Sequence, residues 1–271
     1  MSHRNHPFNN PDLNTAQTAD YTLLVQIGFN SFSYAVAGNN RLLVLKENIN
    51  LTELAQPSES NHMLLFNYKQ CIVGLPHNGF TFVPISLFNP DKVVDFARFL
   101  DVKTNEKVFS QVLDAENQVI FKADESLVDL IAEKFGLKNA VFSPMGWIRL
   151  IAKNYPSNHR LYLNIDEDRV ELLNFNDSKL RFYNSFEFKN ADELVYFTML
   201  VVGELGLQPQ EATLVLSGDV SLEDENGAHL AKFFSGIELS YVNSLDLSEQ
   251  IAAHDILTLT ALSLCGSSEA L

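Results

Sequence analysis

Residues 24–44 contain Gln26-Ile27-Gly28-Phe29-Asn30-Ser31-Phe32 and then the turn Gly38-Asn39-Asn40-Arg41-Leu42. Residues 162–182 repeat the pattern at a fixed offset of 138 positions. Gln26-Ile27-Gly28 faces Asn164-Ile165-Asp166, Phe32 faces Val170, and the turn faces Asn176-Asp177-Ser178-Lys179-Leu180. Both copies read as hairpins, with strand-length apolar runs parted by Gly, Asn and Asp, which tolerate positive φ. A unit written twice predicts two like domains around a cleft.

Outward from the first copy, strands are expected over residues 21–28, 32–36 and 41–46. The polar stretch Gln56–Asn61 reads as a loop, and 63–66, 71–75 and 80–84 as strands and connectors. Asn89-Pro90 predicts a helix start, N-cap then proline, with Val93, Val94, Phe96, Ala97 and Leu100 on one face. Asp124 caps a second helix carrying Leu127, Val128, Ile131 and Phe135, closed by Gly136. Between them, 106–113 and 118–121 form a strand pair, followed by a buried strand at 140–143 and a helix at 147–154.

Pro156-Ser157-Asn158 is the expected domain boundary. The second half then reads as strands 161–165, 169–175 and 180–188, a long helix to Gly206 opened by Asn190 and Glu193, and a strand at 213–216. A helix at 227–234, a strand at 237–242 and a helix at 255–264 complete it. The order β-β-β-α-β-α-β-α is a mixed sheet covered by helices. The fold class expected is α/β, in three parts: a disordered leader (1–20), a first domain with an inserted subdomain (21–158) and a second domain (159–271).

Composition narrows the functions. A net charge of −15 repels phosphates and anionic bilayers, and no basic run reverses it, so neither nucleic acid nor membrane insertion is expected. Cys71 and Cys265 are expected as free thiols, as in a reducing compartment. The polar, Asn-rich leader is no signal peptide, and 194–202 is too short to span a bilayer. The expectation is a cytoplasmic protein.

Several constellations read most simply as structure. Gly74-Leu75-Pro76-His77-Asn78-Gly79 has P-loop glycine spacing, but Phe80 stands where lysine is required, so it reads as a turn. His62, Cys71 and His77 fit no zinc-finger spacing. Asp166, Glu167 and Asp168 read as a solvated hairpin tip before a metal site. Residues 222–227 read as an acidic loop, and His3 and His6 lie in the leader.

A duplicated meander feeding helix–strand alternation resembles the actin-like ATPase (ribonuclease H-like) superfamily. Phe80-Thr81-Phe82-Val83-Pro84-Ile85-Ser86-Leu87-Phe88 is further similar to a family of bacteroidete proteins with that fold and no known function. The superfamily resemblance implies three phosphate-facing stations. These are an acid and glycines on the first hairpin, Asp-x-Gly on the second, and paired glycines at a strand-to-helix turn. In this chain the first reads Gln26-Ile27-Gly28-Phe29-Asn30-Ser31, without the acid. The second reads Asn164-Ile165-Asp166-Glu167-Asp168, an amide for the acid and an acid for the glycine. The third, Ser217-Gly218-Asp219, has one glycine of two.

The expectation is a fold kept and ATP hydrolysis lost: a non-catalytic scaffold with a protein partner, no cofactor and no resident metal. The sequence names neither the partner nor the oligomeric state. The alternative is a divergent ATPase or phosphotransferase. In it Asp166 and Asp168 hold magnesium while Gly28, Asn30, Ser31 and Gly218 touch the phosphates and nucleoside. A cleft binding a small metabolite without chemistry is a third reading.

Overall fold

The backbone turns on itself at Asn39 and Asn40, both left-handed (φ 51° and 63°), which is the geometry of a two-residue hairpin turn. The computed structural model describes residues 7–266. Two compact units divide the chain: one is Trp147–Thr258, and the other joins the described residues before Trp147 to those from Leu259 onward. The division falls within a helix, and the described residues from Leu259 onward belong with the first unit.

In that first unit, β1 (Phe8–Asn9), β2 (Thr22–Ile27), β3 (Ser31–Gly38) and β4 (Arg41–Asn50) are followed by the short helix α1 (Thr52–Ala55) and β5 (Gln70–Leu75). Next come β6 (Gly79–Pro84), α2 (Val93–Ala97), β7 (Glu106–Val112), β8 (Asn117–Asp124) and α3 (Glu125–Lys134). β9 (Ala140–Phe142) and α4 (Met145–Lys153) complete the run. One sheet has the order β1-β4-β3-β2-β5-β9, its meander antiparallel and β5 and β9 parallel to β2. The inserted sheet has the order β6-β8-β7, and Val83, Ala97 and Ile120 form the core beneath α2. The insert is clamped to the larger sheet by Gln111: its amide donates to Ala140 O (2.8 Å) and accepts from Phe142 N (2.8 Å), closing the β9 edge.

The second unit holds β10 (Arg160–Asp166), β11 (Arg169–Asn176), β12 (Lys179–Glu187), α5 (Ala191–Glu204), β13 (Thr213–Gly218), α6 (Glu225–Leu230) and β14 (Gly236–Leu239). α7 (Leu257–Ala261) leads out of it. Its sheet order, β12-β11-β10-β13-β14, repeats β4-β3-β2-β5-β9 in both neighbours and strand sense. The likeness extends to detail. The turn residues Asp177 and Ser178 have φ of 49° and 63°, and the meander bulges between Asn174 and Phe175 as its counterpart does between Val36 and Ala37. One face of this sheet packs with α5 around Leu163, Ile165, Val170, Leu172, Leu194 and Val202. Phe186 stacks on Phe197 at 4.7 Å to extend that core.

Caps behave as their side chains dictate. Asn89 accepts from Asp91 N, Asp124 from Ser126 N and Leu127 N, and Asn190 from Glu193 N, whose own carboxylate accepts from Lys189 N. Several expectations need correction. The expected leader holds a strand, because the backbone of Phe8 and Asn9 pairs with β4: Phe8 faces Leu45 and Asn9 faces Val44. Residues 1–6, with His3 and His6, lie outside the described residues. Residues 59–65 form a 3-10 turn rather than a loop and strand. The helix after Asn89 breaks into 3-10, α and 3-10 pieces ending at the left-handed Asp101. Val94 leaves the packed face and is 74% exposed. Among the described residues no helix is long and apolar enough to cross a membrane.

Candidate functional site

Six residues were singled out by sequence, and they fall on two hairpin tips and one strand end. In the first unit, Gly28, Asn30 and Ser31 share the β2–β3 tip. The Gly28 N–H donates to Ser31 O at 2.8 Å, so that amide closes the hairpin, and Phe29 beside it is half exposed. In the second unit, Asp166 and Asp168 occupy the β10–β11 tip, whose turn needs a left-handed Glu167 (φ 44°). Gly218 ends β13 directly alongside Ile165. The structure thus gathers Asp166, Asp168 and Gly218 in one unit, and Gly28, Asn30 and Ser31 in the other.

Gly218 can only be glycine. Its φ is +88°, and a Cβ there would lie 2.1 Å from Ile165 O. Its N–H donates to His254 O at 2.8 Å, and Asp219 N–H to Ile165 O at 2.7 Å. The backbone donors at this strand end are already engaged by the chain itself.

Behind the second tip lies a polar network that no motif announced. Asn164 and Glu171 are direct cross-strand partners, and the Asn164 amide donates to Glu171 Oε2 at 2.9 Å. The Tyr183 hydroxyl donates to Glu171 Oε1 at 2.5 Å, and Ser217 Oγ donates to Leu163 O at 3.1 Å and to Asn164 Oδ1 at 3.4 Å. Trp147 meets the Tyr183 ring edge-on at 6.5 Å. Burial pushes the Glu171 carboxyl up, against the pull of its two hydrogen bonds, and pushes the Tyr183 hydroxyl well up. A one-residue register change would turn this network into the α5-facing core, so hairpin register is what places it.

The Asp166 carboxyl is also raised, first by the protein crowded around it and then by Glu167, Asp219 and Asp168, with Arg169 opposing. The side chain still reaches solvent, so the repulsion among four acids is the physically weightier cause. Arg169 itself is turned to Glu187 at 2.6 Å. The chemistry of this tip favours cations and disfavours phosphates. Among the described residues, no group of three or more His, Cys, Asp or Glu is placed to hold a metal.

The remaining candidates sit apart. Gly74 lies within β5 and Gly79 opens β6, so the P-loop-like spacing joins two strands. His77 packs 5.0 Å from the rings of both Phe80 and Phe142. His62 Nδ1 lies 2.9 Å from Glu59 O. Burial pushes the Cys71 thiol up to about 12, and Cys71 and Cys265 are not bridged to each other. In the acidic loop, Asp224 caps α6 by accepting from Gly227 N and Ser221 N.

With this geometry in hand, comparison with known families matches residues 10–237 to DUF3822, described as a protein of unknown function. The chain belongs to that family. The DUF3822 chain is similar to a solved protein from Bacteroides thetaiotaomicron with an actin-like ATPase fold and unknown function. That match has 19% identity and a TM-score of 0.75, covering 93% of this chain and 99% of that one. It is similar also to PilM in the PilM–PilN type IV pilus biogenesis complex (14% identity, TM-score 0.60, covering 90% and 96%). A third is the cytoplasmic domain of EpsL, an inner membrane component of the Vibrio cholerae type II secretion system (12% identity, TM-score 0.50, covering 91% and 96%). No curated protein matches the chain. The fold is actin-like, as the sequence resemblance implied, and the family's function is unknown.

Glu171 and Tyr183 were missed by motif reasoning, because they match no phosphate-binding pattern, and Ser217 was read only as part of the third station. One signal was available: the 166–169 hairpin fixes Asn164 opposite Glu171, which pairs an amide with a charge in the middle of apolar strands.

Proposed function

We propose that this DUF3822 chain is a non-catalytic actin-like protein, carrying two copies of one fold, that serves as a protein-interaction or scaffold component. Asn164 carries the reading. It stands where the superfamily resemblance calls for a magnesium-directed carboxylate, and its amide is committed to Glu171 at 2.9 Å. Around it, Asp166, Glu167, Asp168 and Asp219 would repel a triphosphate. The matching bulges and turns 138 positions apart support an ancestral duplication, in which the corners changed while the frame did not. PilM, similar in fold, is described in a complex with PilN, which supports a partner-binding role. An ATP turnover assay on purified chain with magnesium tests it. Steady phosphate release that disappears in Asp166→Asn overturns the reading.

A second reading is favoured by the raised Asp166 carboxyl, since displaced pKa values gather at functional sites. It is a divergent ATPase or phosphotransferase with Asp166 and Asp168 toward magnesium, and with Gly28, Asn30, Ser31 and Gly218 toward phosphate and nucleoside. Against it stands Gly218, whose N–H is engaged by His254 O.

A further inference from the structure

In the second unit, α5 and α6 bring a base against an amine. The start of α6 is fixed by its own loop: Asp224 accepts from Gly227 N and Ser221 N, and a Cβ on Gly227 would lie 2.1 Å from Ser221 O. Its other end is anchored by Leu230 and Phe234, both buried in the core shared with α5. His229 is thereby held beside the first turn of α5, with Nε2 2.7 Å from Asp192 Oδ1. Its Nδ1 lies 3.2 Å from the Nζ of Lys232, three residues further along. A carboxylate can only accept, so Asp192 fixes the imidazole proton on Nε2 and leaves the Nδ1 lone pair to the lysine.

An amine within hydrogen-bond reach of a base, with the base oriented by a third group, is the arrangement that activates a nucleophile. The three groups are reachable from solvent: the His229 side chain is 23% exposed, that of Asp192 is 85% exposed, and Lys232 is exposed. Apolar surface lies beside them. Tyr196, one turn from Asp192 on the same face of α5, is exposed, and the half-exposed Phe233 ring is 5.9 Å from His229. Glu193, Asp224 and Glu225 make the surroundings acidic, which disfavours a phosphate-activated reactant and leaves an uncharged electrophile.

We propose that Lys232 is an acyl-acceptor site that takes an acyl group from a thioester, with His229 as its general base and Asp192 as the positioning residue. The Lys232 ammonium gives one proton to His229 Nδ1, and the amine lone pair attacks the thioester carbonyl carbon. The C–N bond forms, the C–S bond breaks, and a second nitrogen proton leaves with the thiol. The proton on His229 passes to water, so an ammonium and a thioester become an amide, a thiol and one proton. Each chain reacts once, so the site is independent of the scaffold reading and of its nucleotide test.

The probe is S-acetyl-N-acetylcysteamine, an uncharged thioester, incubated with the full chain while acetylation of each lysine is followed by peptide mass spectrometry. Lys232 is expected to react about a hundredfold faster than the exposed Lys92 and Lys189, the low end of what a positioned base supplies. His229→Ala is expected to bring Lys232 down to the rate of Lys92, and added imidazole to restore Lys232 alone. Asp192→Asn keeps the imidazole but no longer dictates its tautomer; it is expected to slow Lys232, with recovery in Asp192→Glu. Lys92 serves as the internal control, its rate unchanged in every variant. A Lys232 rate less than about tenfold above that of Lys92 overturns the proposal. So does a Lys232 rate that His229→Ala and Asp192→Asn leave unchanged.

Discussion

Replacing Asn164 with aspartate restores the acid that the superfamily resemblance calls for, and it should cost the protein stability. The Asn164 amide donates to a part-buried carboxylate at 2.9 Å. Such a charge-assisted bond contributes about 1.5–3 kcal/mol. The substitution removes it and sets a second carboxyl against Glu171, whose own carboxyl is already raised by burial. Two charges about 4 Å apart at an effective dielectric of about 20 repel by about 4 kcal/mol. The pair escapes by holding one proton, which at pH 7 costs about 3.7 kcal/mol from an ordinary glutamate pKa of about 4.3. The penalty is therefore about 3–4 kcal/mol at pH 7. It falls toward about 1 kcal/mol at pH 5, where that proton is nearly free. At roughly 3 °C per kcal/mol, Asn164→Asp should melt about 10 °C below the wild type at pH 7 and only a few degrees below it at pH 5. Glu171→Gln in the same chain supplies a donor to the new carboxylate and should recover at least half the loss. The assay is thermal melting followed by circular dichroism across that pH range. A variant within 2 °C of wild type at pH 7, or no recovery with Glu171→Gln, refutes the reasoning.

Other outcomes follow from equally local geometry. Gly218→Ala places a Cβ 2.1 Å from Ile165 O at a φ of +88°, and should cost more than about 3 kcal/mol by denaturant titration. Lys122→Met leaves Glu106 without its 2.8 Å partner, on side chains 7% and 4% exposed, and should cost about 3 kcal/mol. Burial alone would raise the Glu106 carboxyl, but Lys103 N–H, the Lys122 ammonium and the Asn78 amide outweigh it and hold it at about 2. That folded value lies below the unfolded one. The stabilisation is therefore present above about pH 4.5 and lost as pH falls through about 2, a loss that Glu106→Gln should remove from the acid melting profile. Gln111→Ala should speed hydrogen exchange at Phe142 N–H about tenfold, since that amide loses its side-chain acceptor.

The frame was legible because its signals are local and repeated. Asn39-Asn40 and Asp177-Ser178 supply residues that accept positive φ, and Asn89, Asp124 and Asn190 carry cap chemistry in their side chains. What stayed hidden depends on distant partners. β1 is a polar stretch with no apolar alternation, and it becomes a strand only because β4 offers an edge. Val94 fits the helical stripe by spacing, yet the helix breaks at both ends and turns it to solvent. The return of residues beyond Leu259 to the first unit rests on contacts such as Leu262 against Gly74, which periodicity does not encode. At the candidate site the altered stations were readable residue by residue. What Asn164 does instead was not, because Glu171 and Tyr183 reach it through strand pairing.

The central claim concerns nucleotide, and calorimetric titration of the intact chain with magnesium and ATP tests it most directly. Heats indistinguishable from dilution are expected up to millimolar nucleotide, for wild type and Asp166→Asn alike. A micromolar isotherm that depends on magnesium and weakens in Asp166→Asn would contradict the account.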